Sequence, residues 1–171
     1  PDAHLINVDF YRNARKVVVL SQICKDVIEK NLHLTNVHSI GTSLWSQEKF
    51  EFLRTVEKEK VKELAVVNST NPTKGTTAAV KFCNERELEF DFISSADQYE
   101  FLREMAKFKA LVFIPQVLET FCRLVAEAKM LGCNVYTKKT LVGFMSEPIS
   151  SQSGDELIDA LQTRTSAALQ Y

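Results

Sequence analysis

The stretch Ala110–Val135, ALVFIPQVLETFCRLVAEAKMLGCNV, constrains the fold more than any other. It opens with a short apolar run closed by Pro115, becomes helical in period, and meets Gly132 before a second apolar run. Strand, turn, helix and strand in that order make a parallel crossover unit. At 100° per residue, Phe121, Leu124, Val125, Ala128 and Leu131 share one arc, while Glu119, Arg123 and Glu127 share a strip away from it. The expectation is a packing face and a charged edge. A helix that follows a parallel strand starts at the sheet edge where free N–H groups and the dipole favour anions, and where ligands of open α/β sheets bind.

The same alternation runs through the rest of the chain. Residues 1–14 show no clear period, but Lys16–Leu20 (KVVVL) is a β-branched run suited to a buried strand. Ser21 is placed to cap a helix bearing Ile23, Val27 and Ile28, and Val37–Gly41 reads as the next strand. Ser46 caps a helix with Phe50, Leu53 and Val56 on one side. Glu48, Lys49, Glu51, Glu57, Lys58, Glu59 and Lys60 supply its expected solvated face. Leu64–Val67 is a strand, followed by the polar loop Asn68–Gly75 (NSTNPTKG) and a helix from Thr76 to about Glu85. Leu88–Ile93 reads as a strand, Ser95 with Gln98 as a capping box, and Tyr99, Leu102, Met105 and Ala106 as a helical stripe. After Val135 come a polar turn at Thr137–Thr140, the segment Leu141–Glu147, a Ser-rich linker and a final helix from about Asp155 to Leu169. Five or six short strands alternating with helices predict an α/β fold: an open, mostly parallel Rossmann-like sheet with helices on both faces. Right-handed crossovers gather the loops Asn68–Gly75, Ser94–Ala96 and Pro115–Glu119 at one edge.

Length and composition bound the rest. At 171 residues, the expectation is one domain with a sizeable core. The apolar share of 45% and charged share of 25% fit a soluble globular protein, and a net charge of −1 offers no footprint for nucleic acid or an anionic membrane. Cys24, Cys83, Cys122 and Cys133 form no C-x-x-C pair and lie far in sequence from histidine, which favours reduced thiols in a cytoplasmic protein over zinc or disulfides. No apolar run reaches the roughly 20 residues of a membrane span, and no signal peptide pattern opens the chain. A start at Pro1 rather than Met is expected of a processed product or a piece of something longer.

Several residues together resemble the donor-binding half of retaining glycosyltransferases of the GT-B type, especially family 4. Glu119 and Glu127 form an E-x7-E pair at the strand–helix junction, with Ala128 after the second acid, Gly132 beyond it and Lys74–Gly75 ahead. Lys16–Ser21 (KVVVLS) is similar to the strand that closes the acceptor-side half, so residues 1–20 would end a preceding domain; Gly143–Phe144…Glu147 matches a later turn. The resemblance spans roughly residues 10–150 and implies a nucleotide-diphosphate sugar as substrate, with no cofactor and no metal; no D-x-D motif is present. It assigns Lys74, with Gly75, to the donor diphosphate, Glu127 to the ribose hydroxyls, and Glu119, as the catalytic residue, to a hydroxyl of the transferred sugar. The junction Thr120, Phe121, Cys122 and Arg123 would complete the donor site, with the N–H groups of Phe121 and Cys122 adding to diphosphate binding. A lysine supplies a point charge for a departing diphosphate, and a carboxylate accepts two hydroxyl hydrogen bonds. Two departures stand out. Thr120–Cys122 occupy the family's glycine-rich position, and Ser69 or Asn71 stands where an arginine precedes the lysine. The acceptor is unspecified, and its binding half would lie on a domain or subunit before residue 10.

Each of these features also has an ordinary structural reading. Glu119, Arg123 and Glu127 at i, i+4 and i+8 fit a surface ion-pair ladder, and P-x-K-G fits turn chemistry. Cys122 reads as a small packing residue; His4, His33 and His38 read as solvated or satisfied; Trp45 reads as core or interface, with base stacking as an alternative. The functional alternatives are a non-catalytic nucleotide-sugar-binding or protein-assembly module of the same fold, and an unrelated flavodoxin-like nucleotide-binding domain.

Overall fold

The computed structural model describes residues 7–170, so Pro1 and His4 lie outside it. In chain order the elements are α1 (Val8–Asn13), β1 (Val17–Val19), α2 (Gln22–Leu32), β2 (Val37–Ser39), α3 (Gln47–Thr55) and β3 (Lys62–Val67). Then follow α4 (Thr76–Asn84), β4 (Asp91–Ile93), α5 (Gln98–Ala106), β5 (Phe108–Val112), α6 (Arg123–Met130), β6 (Asn134–Tyr136) and α7 (Gly154–Ala168). Short 3-10 turns at Pro72–Lys74, Lys139–Leu141, Gly143–Ser146 and Pro148–Ser151 join them.

All strand pairs are parallel, as expected, but they form two sheets rather than one. The larger sheet has the order β4-β3-β5-β6, and β1-β2 stands apart as a pair. A β-branched run encodes a strand without encoding which sheet receives it. In β1 the middle valine, Val18, is 49% exposed. In the larger sheet, successive residues serve opposite faces. Ala65 and Leu111 join the core beneath α3, α5, α6 and α7, while Val66 and Val112 join Ala79 and Cys83 beneath α4. Burial on both faces explains the unbroken apolar reading of β3 and β5.

The chain leaves β3 through α4 to β4 on one side, then returns through α5 to β5 on the other. The connections thus turn to opposite faces at the carboxyl ends of β3 and β5, the switch point where open α/β sheets bind ligands. Two details of the sequence reading change here. Asp97, not Ser95, caps α5 by accepting from Glu100 N–H at 2.8 Å, because Asp97 stands three residues before that donor. Of the α3 charges, Lys49 is buried at 4% exposure, its ammonium 3.8 Å from the centroid of the Tyr99 ring.

At the opposite end of the sheet, Lys60 Nζ donates to Ala106 O and Leu131 O at 2.9 and 2.8 Å, capping the ends of α5 and α6. All four cysteines are buried and free. Among the described residues, no helix is long and apolar enough to cross a membrane.

Candidate functional site

Lys74 and Glu119, distant in sequence, meet at this switch point. Lys74 Nζ donates to Glu119 Oε1 at 2.8 Å. The loop after β3 is held by its own polar side chains: Asn71 Oδ1 accepts from Thr73 N–H at 3.0 Å, and Thr76 Oγ1 donates to Val67 O at 2.9 Å. Gly75 then lets this loop touch the end of β5. Its φ is 73°, and a Cβ there would lie 1.7 Å from Ile114 O, so the contact admits only glycine. Gln116 N–H donates to Thr73 O at 2.9 Å and closes the junction. Ser69 and Asn71, at the arginine position of the resembled family, are used inside this loop.

Glu119 is not on the helix. It sits in an extended segment bridged in parallel to Val142, with Glu119 N–H donating to Leu141 O and Glu119 O accepting from Gly143 N–H, both at 2.9 Å. The expected i, i+4, i+8 ladder therefore breaks: Glu119 pairs with Lys74, and Arg123 pairs with Glu127 at 3.3 Å. The break falls at Cys122, whose φ of 70° is left-handed. For a non-glycine residue this conformation costs about 1–2 kcal/mol. Such strain is often found at ligand sites, and here it turns the chain into α6 at the position where the resembled family carries glycines. Cys122 caps α6 without a side-chain hydrogen bond. Burial pushes its thiol up to about 12, which makes it inert rather than nucleophilic.

Phe121 is buried against Trp45 and Phe144, with ring centroids 5.9 and 5.5 Å away. Thr120 O accepts from Ser21 Oγ at 2.6 Å, binding the junction to the start of α2. The charged edge expected of α6 is partly interior, because Glu127 is only 4% exposed. Trp45 Nε1–H donates to Glu127 Oε1 at 2.9 Å, and the Arg123 pair falls on the same oxygen. The Arg123 guanidinium also lies 5.4 Å from the Trp45 ring. Lys49, one helical turn after Trp45, has no hydrogen-bond partner for Nζ among the described residues. Burial lowers its pKa, the charge of Glu127 opposes that shift, and Arg123 adds to it.

Sequence reasoning missed Lys49, placed Trp45 as core or interface with base stacking as the alternative, and assigned Glu147 no role. The i, i+4 spacing of Trp45 and Lys49 about the Ser46 cap was the available signal. Glu147 Oε1 accepts from Gln22 N–H at 2.7 Å, its Oε2 pairs with Arg164 at 3.1 Å, and Ser146 Oγ accepts from Ile23 N–H at 3.2 Å. The start of α2 is thus capped by the chain itself; Ser21, expected as its cap, instead donates to Thr120 O.

The site offers cations and N–H groups for an anion beside carboxylates for hydroxyl groups. Among the described residues, no cluster of three or more His, Cys, Asp or Glu side chains could hold a metal ion.

No protein-family profile matches the chain, and no curated protein matches it in sequence. Its fold is similar to sucrose-phosphate synthase from Thermosynechococcus elongatus, with a TM-score of 0.52 and 13% identity over 93% of this chain and 51% of that one. A GtfA/B complex structure gives a TM-score of 0.48 and 15% identity over 96% of this chain and 40% of that one. The chain spans about half the length of the synthase it matches. The class this defines is a parallel α/β protein with a glycosyltransferase-like fold.

Proposed function

We propose that this chain is the donor-binding part of a metal-independent, retaining glycosyltransferase of the E-x7-E type that uses a nucleotide-diphosphate sugar. The observation that carries this reading is the meeting of Lys74 with Glu119 at 2.8 Å, between the loops after β3 and β5. Lys74 and the first N–H groups of α6 would take the diphosphate, whose negative charge grows as the sugar–phosphate bond breaks. Glu119, released from Lys74 by the entering phosphate, would accept a hydrogen bond from a sugar hydroxyl. Among the described residues both hydrogen-bonding partners of Glu127 fall on Oε1, and in this reading Oε2 would take the ribose hydroxyls. In this reading residues 1–20 end an acceptor-side half, although β1 pairs with β2 of the donor part.

A second reading, a non-catalytic module of the same fold, draws on one observation. Glu127 is tied into the core by Trp45 and Arg123, as a purely structural carboxylate would be.

Thermal unfolding with UDP, GDP and ADP and their sugar conjugates tests the site. A nucleotide at about a hundred times its dissociation constant adds about 2.7 kcal/mol of stability. Lys74→Ala should weaken that binding at least tenfold. No stabilisation by any nucleotide up to millimolar concentration would sink the donor-site reading.

A further inference from the structure

We infer that Trp45 is a positioning residue for nucleotide recognition: it fixes Glu127 through Oε1 so that Oε2 is presented to the vicinal hydroxyls of a ribose. The inference rests on the donor-site reading and adds a residue which that reading does not use. Trp45 immediately precedes Ser46, whose Oγ accepts from Lys49 N–H at 3.2 Å, so the cap of α3 sets the place of the indole. Phe50 and Phe121 confine the ring, each with its centroid 5.9 Å away. The loop before it is fixed as well: Gly41 O accepts from Arg164, and Ser43 O accepts from Thr165 Oγ1 at 3.2 Å. The indole N–H therefore points from a rigid base at a carboxylate oxygen in a buried setting, where the direction of a charge-assisted bond is well defined.

Two donors and one further cation act on Glu127, and their distribution is uneven. Trp45 and Arg123 both converge on Oε1, and Lys49 contributes charge without a hydrogen bond. A carboxylate needed only to link α3 with α6 would gain by sharing its contacts between both oxygens. Here one oxygen carries the support, and its partner keeps its lone pairs for a diol. Trp45 touches no ligand in this arrangement; it acts through Glu127.

The test compares wild type with Trp45→Phe, which keeps the aromatic packing and loses the N–H. Calorimetric affinities are measured for whichever of UDP, GDP and ADP binds most tightly, and for its 2′,3′-dideoxy form. Wild type should prefer the ribonucleotide by about tenfold or more, the scale of losing hydrogen bonds to a charged group. Trp45→Phe should bring that ratio to within about threefold while leaving the affinity for the dideoxy form unchanged. An unchanged ratio in a folded variant overturns the inference, because a merely structural tryptophan would shift stability and not sugar discrimination. Trp45 is the only tryptophan in the chain, so emission of the wild-type protein gives a second measure independent of the variant's folding. The ribonucleotide at saturation should change the emission, and the dideoxy form should not; equal responses count against the inference. If no nucleotide binds wild type at all, the donor-site reading itself fails, a result distinct from nucleotide binding without ribose preference.

Discussion

The starts of α2 and α6 use the same physics to different ends. Both helices leave the C-terminal side of a parallel strand and present unbonded N–H groups with a positive dipole end. At α2 the chain fills this site itself, with Glu147 and Ser146 accepting from Gln22 and Ile23 N–H and Arg164 balancing the charge. At α6 no side chain caps the first turn, and Cys122 holds a left-handed turn in front of it. Arg123, in that first turn, pairs with Glu127, and Lys74 comes from another loop and pairs with a carboxylate beside the turn, not with the helix end. An anion site completed internally is architecture, whereas one left open beside an exposed lysine is where the proposed donor would have something to gain.

The largest test of this contrast removes one acid at a time. Glu147→Ala leaves Arg164 without its buried partner and α2 without its cap, and should cost about 3 kcal/mol in urea unfolding. Glu119→Ala breaks a pair in which Lys74 is well exposed, so its stability cost should stay below about 1 kcal/mol. Equal costs at the two positions would erase the distinction between structural and available ends.

A second test uses pH. Burial holds the Cys122 thiol up to about 12 in the folded chain, against an ordinary thiol value near 9. Between those values the unfolded state binds fewer protons than the folded state, so the stabilisation present below about pH 9 is lost as pH rises. Urea midpoints should therefore fall from pH 8 to pH 10.5. Cys122→Ala should lessen that fall without abolishing it, since burial raises Cys83 and Cys133 too.

The smallest effect sharpens the role of the turn. With φ at 70°, position 122 should accept glycine better than alanine, by about 1 kcal/mol, because both lose the sulfur and only alanine keeps the strain. Alanine equal to or above glycine in thermal stability would mean that the turn is not strained.

The sequence made the strand ends that carry Lys74 and Glu119 legible because their parts are local. The apolar runs of β3 and β5, the Pro-Thr-Lys-Gly turn and the helical arc ending at Leu131 each follow from short-range chemistry, and the structure places Lys74 against Glu119. What it concealed depends on long-range contact. Lys49 looks like its charged neighbours on α3 until Tyr99 arrives from α5. Glu127 belongs to a charged strip by period, and only Trp45 converts it into an interior acid. Cys122 fits a helical pattern while its backbone does not, because side-chain periodicity carries no information on the sign of φ. The valines of β1 announce a strand but not its separate sheet, since pairing partners are set by topology.

Lys60 gives the far end of the site a mechanical meaning. One ammonium grips Ala106 O and Leu131 O, so the tails of α5 and α6 are riveted to a common point while their heads lie near Asp97 and Cys122. A helix pinned at its tail can swing but cannot slide. For the proposed donor at its head, α6 would then adjust by tilting about Lys60, over a length of roughly 12 Å for its eight residues. Glu127, half-way along, is held by the Trp45 indole N–H, so the movement would fall on the residues that open the helix.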